Sequence, residues 1–282
     1  MPVSKDDEDR LSKDLRKVAE TMSPDQARYL VDAYYQMQEN RIRAAGQVRA
    51  QKSSQEPCEV IEWFKTRSEN LEKQVRLALD HYSRHNPLGL WARSIVGIGP
   101  VISAGLLAHI DLEKAPTTGH IWAFAGLDPT KTWNKGERRP WNASLKTLAW
   151  KIGESFVKVS NHPDDVYGKV YAERKKFEIE HTEAGKHAEI AKGILTKRNY
   201  NKDTDAYKAY IMGRLPPAHL HARARRYAVK LFLAHYHDVG YRLILKKEPP
   251  LPYAIVHMGH AHVIEAPNWP FNPEKGKKDD SD

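Results

Sequence analysis

Residues 93–110 read Arg-Ser-Ile-Val-Gly-Ile-Gly-Pro-Val-Ile-Ser-Ala-Gly-Leu-Leu-Ala-His-Ile, and no other stretch restricts the fold as tightly. The pattern predicts a helix, a tight Gly97-Ile98-Gly99 turn, and a second helix opening at Pro100. Both glycines are expected to supply backbone angles that residues with a side chain resist. Proline suits a first helical position, where its missing N–H is not needed. Ile98 is expected to point between the two helices, and Ala104 to let them approach closely. The amides from Gly99 through Val101 to Ser103 would then face outward at the positive end of a helix dipole. Such an arrangement, a helix-hairpin-helix, holds a phosphate oxygen without reading a base. The plain alternative is an ordinary glycine-containing connection between helices.

Bulk properties agree with a phosphate-rich partner without proving one. The 282 residues carry 45 Lys and Arg against 36 Asp and Glu, a formal charge of +9. Acidic membranes attract basic proteins too. However, no apolar run approaches the roughly 18–20 residues needed to span a bilayer, and the Asp6-Asp7-Glu8-Asp9 start is the opposite of a basic leader. No membrane partner is expected. A single cysteine, Cys58, excludes an internal disulfide and a multi-cysteine zinc site. A reduced, cytoplasmic setting is the simplest expectation.

The periodicity predicts a mainly α chain with a short extended C-terminal segment. Ser23-Pro24-Asp25-Gln26 is a capping box, so a helix starts at Pro24 and runs to about Arg49. A second runs from about Cys58 to Ser83, where Val60, Phe64, Arg67, Leu71, Gln74, Ala78 and His81 follow alternating steps of four and three. Those steps suit either an intramolecular helical hairpin or a coiled coil between two subunits. Five regions are expected: 1–22, disordered or partly helical; 23–88, the helical hairpin; 89–160, around the Gly-Ile-Gly turn; 161–245, a long charged helix and a basic helix; and 246–282, a proline-rich tail with a disordered end. In the charged helix Val166, Val170 and Phe177 are candidate anchors; residues 198–206 read as a polar loop.

Two basic clusters stand out. Lys131, Lys135, Arg138, Arg139, Lys146 and Lys151 face only Glu137, with Trp133 and Trp141 interleaved. Cations beside aromatic faces suit a bent or single-stranded nucleic acid, by phosphate pairing plus stacking. Buried tryptophans with a solvated charged rim would give the same pattern. The second cluster is Arg223, Arg225, Arg226 and Lys230. On a helix Arg223, Arg226 and Lys230 share a face, with Tyr227 and Leu231 turned to the core. His257, His260 and His262, with His235 and His237, lack the stricter spacing of a zinc site. No strand-borne set of Asp and Glu for two metal ions is visible, and no nucleotide-binding glycine loop. Catalytic residues are therefore not assigned and no cofactor is expected.

Ile95-Val-Gly-Ile-Gly-Pro-Val-Ile-Ser-Ala-Gly-Leu-Leu-Ala-His-Ile, followed by Trp122-Ala-Phe-Ala-Gly-Leu-Asp-Pro129, resembles the C-terminal domain of transposases of the insertion sequence 110 family. That family carries a GIGP hairpin, a variable segment, an AxAGLxP element, a basic loop and a following helix, and all appear here in order between Ile95 and Phe156. The resemblance implies nucleic-acid binding. Two departures weaken its further implication of strand transfer. The family's N-terminal domain with four acidic metal ligands has no counterpart in the ninety or so helical residues before the hairpin. Its nucleophilic serine falls where this chain has Thr130-Lys-Thr-Trp-Asn-Lys-Gly136; Thr132 is a poor substitute, and Ser144 suits a capping role better.

The sequence thus leads to a DNA-binding protein of mobile-element or phage type, with structured RNA as a second candidate ligand. Gly97, Ile98, Gly99, Pro100, Val101 and Ser103 form the expected clamp, extended by Lys131, Trp133, Lys135, Arg138, Arg139, Lys146, Arg223, Arg226 and Lys230. A recombinase subunit completed by another chain, which would need Mg²⁺, is one alternative. A non-catalytic helical assembly protein is another. A homodimer through the N-terminal helices is compatible with each.

Overall fold

The computed structural model describes residues 10–56, 58–250 and 264–276. Expectations for residues 1–9, for most of the extended piece near 253–264 with its three histidines, and for 277–282 lie outside the described residues. Those described are helical with no strand among them.

Ser12 opens α1 (Lys13–Glu20), which the sequence signalled only as partly helical. Ser23 and Gln26 close a reciprocal capping box at the start of α2 (Pro24–Ser53). The chain then turns back into α3 (Glu59–His85), and α2 and α3 pack antiparallel within one chain. Arg41 Nε donates to Glu72 at 2.5 Å across this hairpin. The packed seam keeps only part of the heptad set: Ala78 is buried and Arg67, Gln74 and His81 are half-buried. Glu72, Val75, Ala78 and Leu79 turn inward, whereas Val60, Phe64 and Leu71 stay in solvent. Val31 and Tyr34 near the start of α2 meet Val75 and Leu79 near the end of α3, and Ala44 and Val48 further along α2 are buried as well.

Short α4 (Pro87–Arg93) and α5 (Pro100–His109) follow, and α5 wedges between the hairpin and the rest of the molecule. Val101 and Ala104 complete the hairpin cluster of Val31, Tyr34, Val75 and Leu79. The opposite side of the wedge joins the main core, shared by α4, α5, α6 (Thr118–Phe124), α7 (Ala143–Lys158), α8 (Tyr167–Glu183) and α11 (Pro217–Gly240). Its centre is aromatic. Trp91 stacks on Phe232 with ring centroids 6.1 Å apart, and Phe156 stacks on Tyr167 at 4.9 Å. Edge-to-face contacts of this kind add to simple area burial; Tyr167 meets Phe232 so, at 5.3 Å.

Several expectations shift here by one residue or one turn. The anchors of α8 are Tyr167, Tyr171 and Glu178; Val166 and Phe177 are exposed and Val170 is only half-buried. Tyrosines supply larger apolar bodies than the valines and keep a hydroxyl for a partner. The polar stretch near 198–206 ends inside a further helix: after α9 (Ala188–Lys197), Thr204 caps α10 (Asp205–Ile211), which packs Tyr210 on Ala191, Leu215 and Leu220. Beyond α11 the chain makes one π-helical turn, Tyr241–Leu245. Residues 264–271 then run back over the core, and a single helical turn, Pro273–Gly276, follows within the end expected to be disordered. Trp91 Nε1 donates to the Pro267 carbonyl at 2.9 Å, and the Asn268 amide donates to Ser94 Oγ at 2.9 Å.

Candidate nucleic-acid interface

Between α4 and α5 the chain turns through residues 94–99. Gly97 has φ +94°, a conformation L side chains resist, and its carbonyl accepts a 2.5 Å hydrogen bond from Ser155 Oγ of α7. Gly99 differs from expectation. Its φ of −87° and ψ of −180° are ordinary extended angles, and a Cβ placed there would have nothing within 4 Å. The fold therefore needs glycine at 97 and not at 99. Ile98 and Val101 are buried, and Ser103 is fully buried with its hydroxyl donating to the Gly89 carbonyl. The Ser103 amide is also occupied, since it donates to Gly99 O at 3.0 Å in the first helical bond. Ser103 thus has nothing to offer a ligand, a correction to the expected clamp. Among the described residues no acceptor meets the amides of Gly99, Val101 or Ile102. Gly99 also lines a shallow concavity of about 440 Å³ along residues 93–99. Pro100, at the first helical position, has no N–H and fixes the start of α5.

The two basic clusters meet in space. The loop from Lys131 to Arg139 is exposed throughout, and four tryptophans on or beside it each carry a cation over the ring. Arg139 lies 4.8 Å from the Trp133 centroid, Lys146 Nζ 3.9 Å from Trp141, Lys230 Nζ 4.1 Å from Trp122, and Arg225 5.3 Å from Trp150. Cation–π contact fixes each charged head in place. Trp133 Nε1 donates to the Glu137 carbonyl at 2.7 Å, and Trp122 Nε1 to the Lys230 carbonyl at 3.0 Å, so these two rings are anchored as well.

Electrostatics records the convergence. Partial burial, then Arg139 and Arg226, push the Lys146 ammonium below its ordinary range. Crowding by protein and then Arg223 do the same to Arg226. Lys230 is lowered by burial and by Arg226, with Asp128 opposing. Three segments of chain therefore press like charges together, and Lys146 has no carboxylate partner to offset the repulsion. Lys131, Lys135 and Arg138 stand further out along the same exposed loop.

Two expectations fail on α11. Arg223 does not share a free face with Arg226 and Lys230. Its Nε donates to buried Glu178 at 2.7 Å, where Arg174 also bonds at 2.6 Å and His187 Nε2 lies 3.1 Å away. Burial alone would raise the Glu178 carboxyl, but the hydrogen bonds from Arg223 and Arg174 outweigh it and hold it low. Tyr227 is 42% exposed under Arg174, because α11 crosses α7 and α8 on the face of Ala224, Ala228 and Phe232. In place of Arg223, the surface gains Arg225, Trp150 and Trp122. Trp150 could have been found from its position one turn after Lys146 on α7, whereas nothing in the sequence pairs Arg225 or Lys230 with these rings.

The turn and the basic face are not adjacent. Ser155, which holds Gly97, follows Lys146 by nine residues, about 14 Å along α7 and about half a turn of rotation. They therefore occupy opposite flanks of α7, and a nucleic acid meeting both must pass around it.

The described residues contain no group of three His, Cys, Asp or Glu side chains placed to hold a metal ion. His235 and His237 are spent on structure: Tyr167 bonds His235 Nδ1 at 2.7 Å, and His237 Nε2 donates to the Ala115 carbonyl at 2.8 Å. Asn142, not Ser144, caps α7, accepting from the Leu145 amide at 2.8 Å. Thr132 is exposed in the loop. No described helix is long and apolar enough to cross a membrane.

Residues 91–139 match the family model of the Transposase IS116/IS110/IS902 family. The matched segment runs from Trp91 through the turn and the basic loop to Arg139, and it supports a transposase-like domain of mobile-element type there. No curated protein and no solved structure matches the chain.

Proposed function

We propose that the chain is a DNA-binding protein of transposase-like, mobile-element type, which holds the phosphate backbone through the face built by Arg139, Lys146, Arg226 and Lys230. The observation that carries this is the placement of Arg139, Lys146 and Lys230 over Trp133, Trp141 and Trp122, with Arg226 converging on Lys146 from α11. Like charges pressed together cost stability in the free protein, and a polyanion removes that cost. Lys131, Lys135 and Arg138 extend the same footprint along the loop, beside Trp133. The free amides of Gly99, Val101 and Ile102 serve as a second contact on the other flank of α7, of the helix-hairpin-helix kind. The similarity of residues 91–139 to transposases supports the same class of partner.

Fluorescence anisotropy at two salt concentrations tests this, with duplex, junction, single-stranded and structured RNA ligands. Binding should weaken steeply with salt, by about 0.9 log unit per log unit of salt for each duplex phosphate neutralised. Lys146→Gln combined with Arg226→Gln should lower the slope by about 2 and weaken every ligand. Salt-insensitive affinity, or binding to none of these ligands, defeats the proposal.

Two copies meeting through α3 would complete the assembly. Val60, Phe64 and Leu71 recur at heptad spacing, and Val60 is 70% exposed. A soluble surface seldom leaves such a stripe uncovered.

A further inference from the structure

Resting on that function, we infer that the basic face takes unpaired nucleic acid, its bases stacking on Trp133 and Trp150 and its phosphates lying on Lys146, Arg226 and Lys230. A protein that met only the backbone of a duplex would need cations and amides alone. The bases of a duplex are already stacked on one another and offer no ring to an indole. Yet Trp150 is 52% exposed and Trp133 39% exposed, on the surface where the charge is densest. Neither ring is loose. Arg225 lies over Trp150 and is itself ion-paired to Glu154, while Trp133 is held between Arg139 and its bond to the Glu137 carbonyl. A cation supports one part of each indole while the rest meets water, so a base can be received with little ordering cost.

Trp141 and Trp122 play a different part. They are half-buried and act as walls that position the Lys146 and Lys230 ammonium groups. The carboxylates nearby are already engaged: Glu154 with Arg225, Glu137 with Asn134, and Asp128 with Thr130. What remains is Lys146 and Lys230 fixed over half-buried rings, exposed Arg226 converging on Lys146, and two partly open indoles, a set of groups that suits a flexible strand offering both bases and phosphates.

The test compares a twelve-nucleotide oligo-dT, the matching oligo-U and a duplex of equal length, by anisotropy and by quenching of tryptophan emission. Wild type should bind the single strands more tightly than the duplex and be quenched by them. Trp150→Ala and Trp133→Ala should each weaken single-strand binding about tenfold, with the salt slope and duplex affinity unchanged. Trp150→Phe should restore most of the loss, and circular dichroism should match wild type throughout. The dT and U arms show whether the sugar matters. Single-strand affinity unmoved by both alanine variants, or a duplex preferred over either strand, overturns the inference while backbone binding stands. Absence of binding to all three ligands overturns both.

Discussion

Two glycines three atoms of backbone apart play unlike parts. Gly97 lies at φ +94°, with Val159, Phe156 and Ser155 against the position a Cβ would take. Gly97→Ala should therefore cost about 2 kcal/mol, chiefly from backbone strain, read as a lower denaturation midpoint. Gly99 has ordinary angles and empty space in front of it, so Gly99→Ala should leave stability unchanged or raise it by about 0.5 kcal/mol. The added methyl would nevertheless stand before the free amides of α5 and weaken backbone binding. A Gly99→Ala protein that binds as wild type would remove the turn from the interface. Identical in the sequence, the two positions are separated by their backbone angles first and by what packs around them second. The positive φ alone asks for glycine at 97, and α7, arriving from fifty residues away, adds crowding to that strain.

At the scale of elements, helices were announced by local signals and their faces were not. The capping box at Ser23 and Pro100 at a helix start each depend on neighbours within a turn or two, and each stands as expected. By contrast, the heptad steps on α3 mark a stripe that the folded chain covers only in part: Ala78 is buried, whereas Val60, Phe64 and Leu71 stay exposed. If that stripe joins two copies, Leu71→Lys should convert a dimer to a monomer in sedimentation while leaving helicity unaltered; a monomeric wild type would rule the joint out. Arg223 shows the same limit. The charge on its helix was plain, but Glu178, Arg174 and His187 arrive from α8 and the loop beyond it and take the guanidinium out of the interface.

Across the whole molecule, a hydrogen-bonded neutral histidine ties a distant segment to the core. His235 accepts from the Tyr167 hydroxyl and donates from Nε2 to the Ile264 carbonyl at 3.0 Å, fastening residues 264–271 over the core. Burial brings its pKa down from 6.5 to about 4, and burial also lowers His109, His187, His219 and His237. The unfolded chain thus takes up these protons first. Stability contributed by the neutral forms is fully present above pH 6.5 and is lost as pH falls toward 4, by about 3 kcal/mol for His235 alone. Melting temperature should drop between pH 7 and 4.5, and His235→Gln should flatten part of that drop; a flat wild-type profile would contradict it. The bonds of His235 and His237 were invisible in the sequence, where the two were weighed only as companions of His257, His260 and His262.

The chain's own order of residues determined the helix starts at Pro24 and Pro100, the mainly α class, the turn at Gly97, and a surplus of positive charge with tryptophans threaded through it. These follow from interactions within one or two turns and from composition, which no packing arrangement can alter. Tertiary structure alone decided that Arg139, Lys146, Arg226 and Lys230 share one face, that Arg223 is withdrawn from it, and that the turn looks out from the opposite flank of α7. Each of those outcomes depends on how α7 and α11 cross, and the crossing is set by the fit of buried faces from distant parts of the chain.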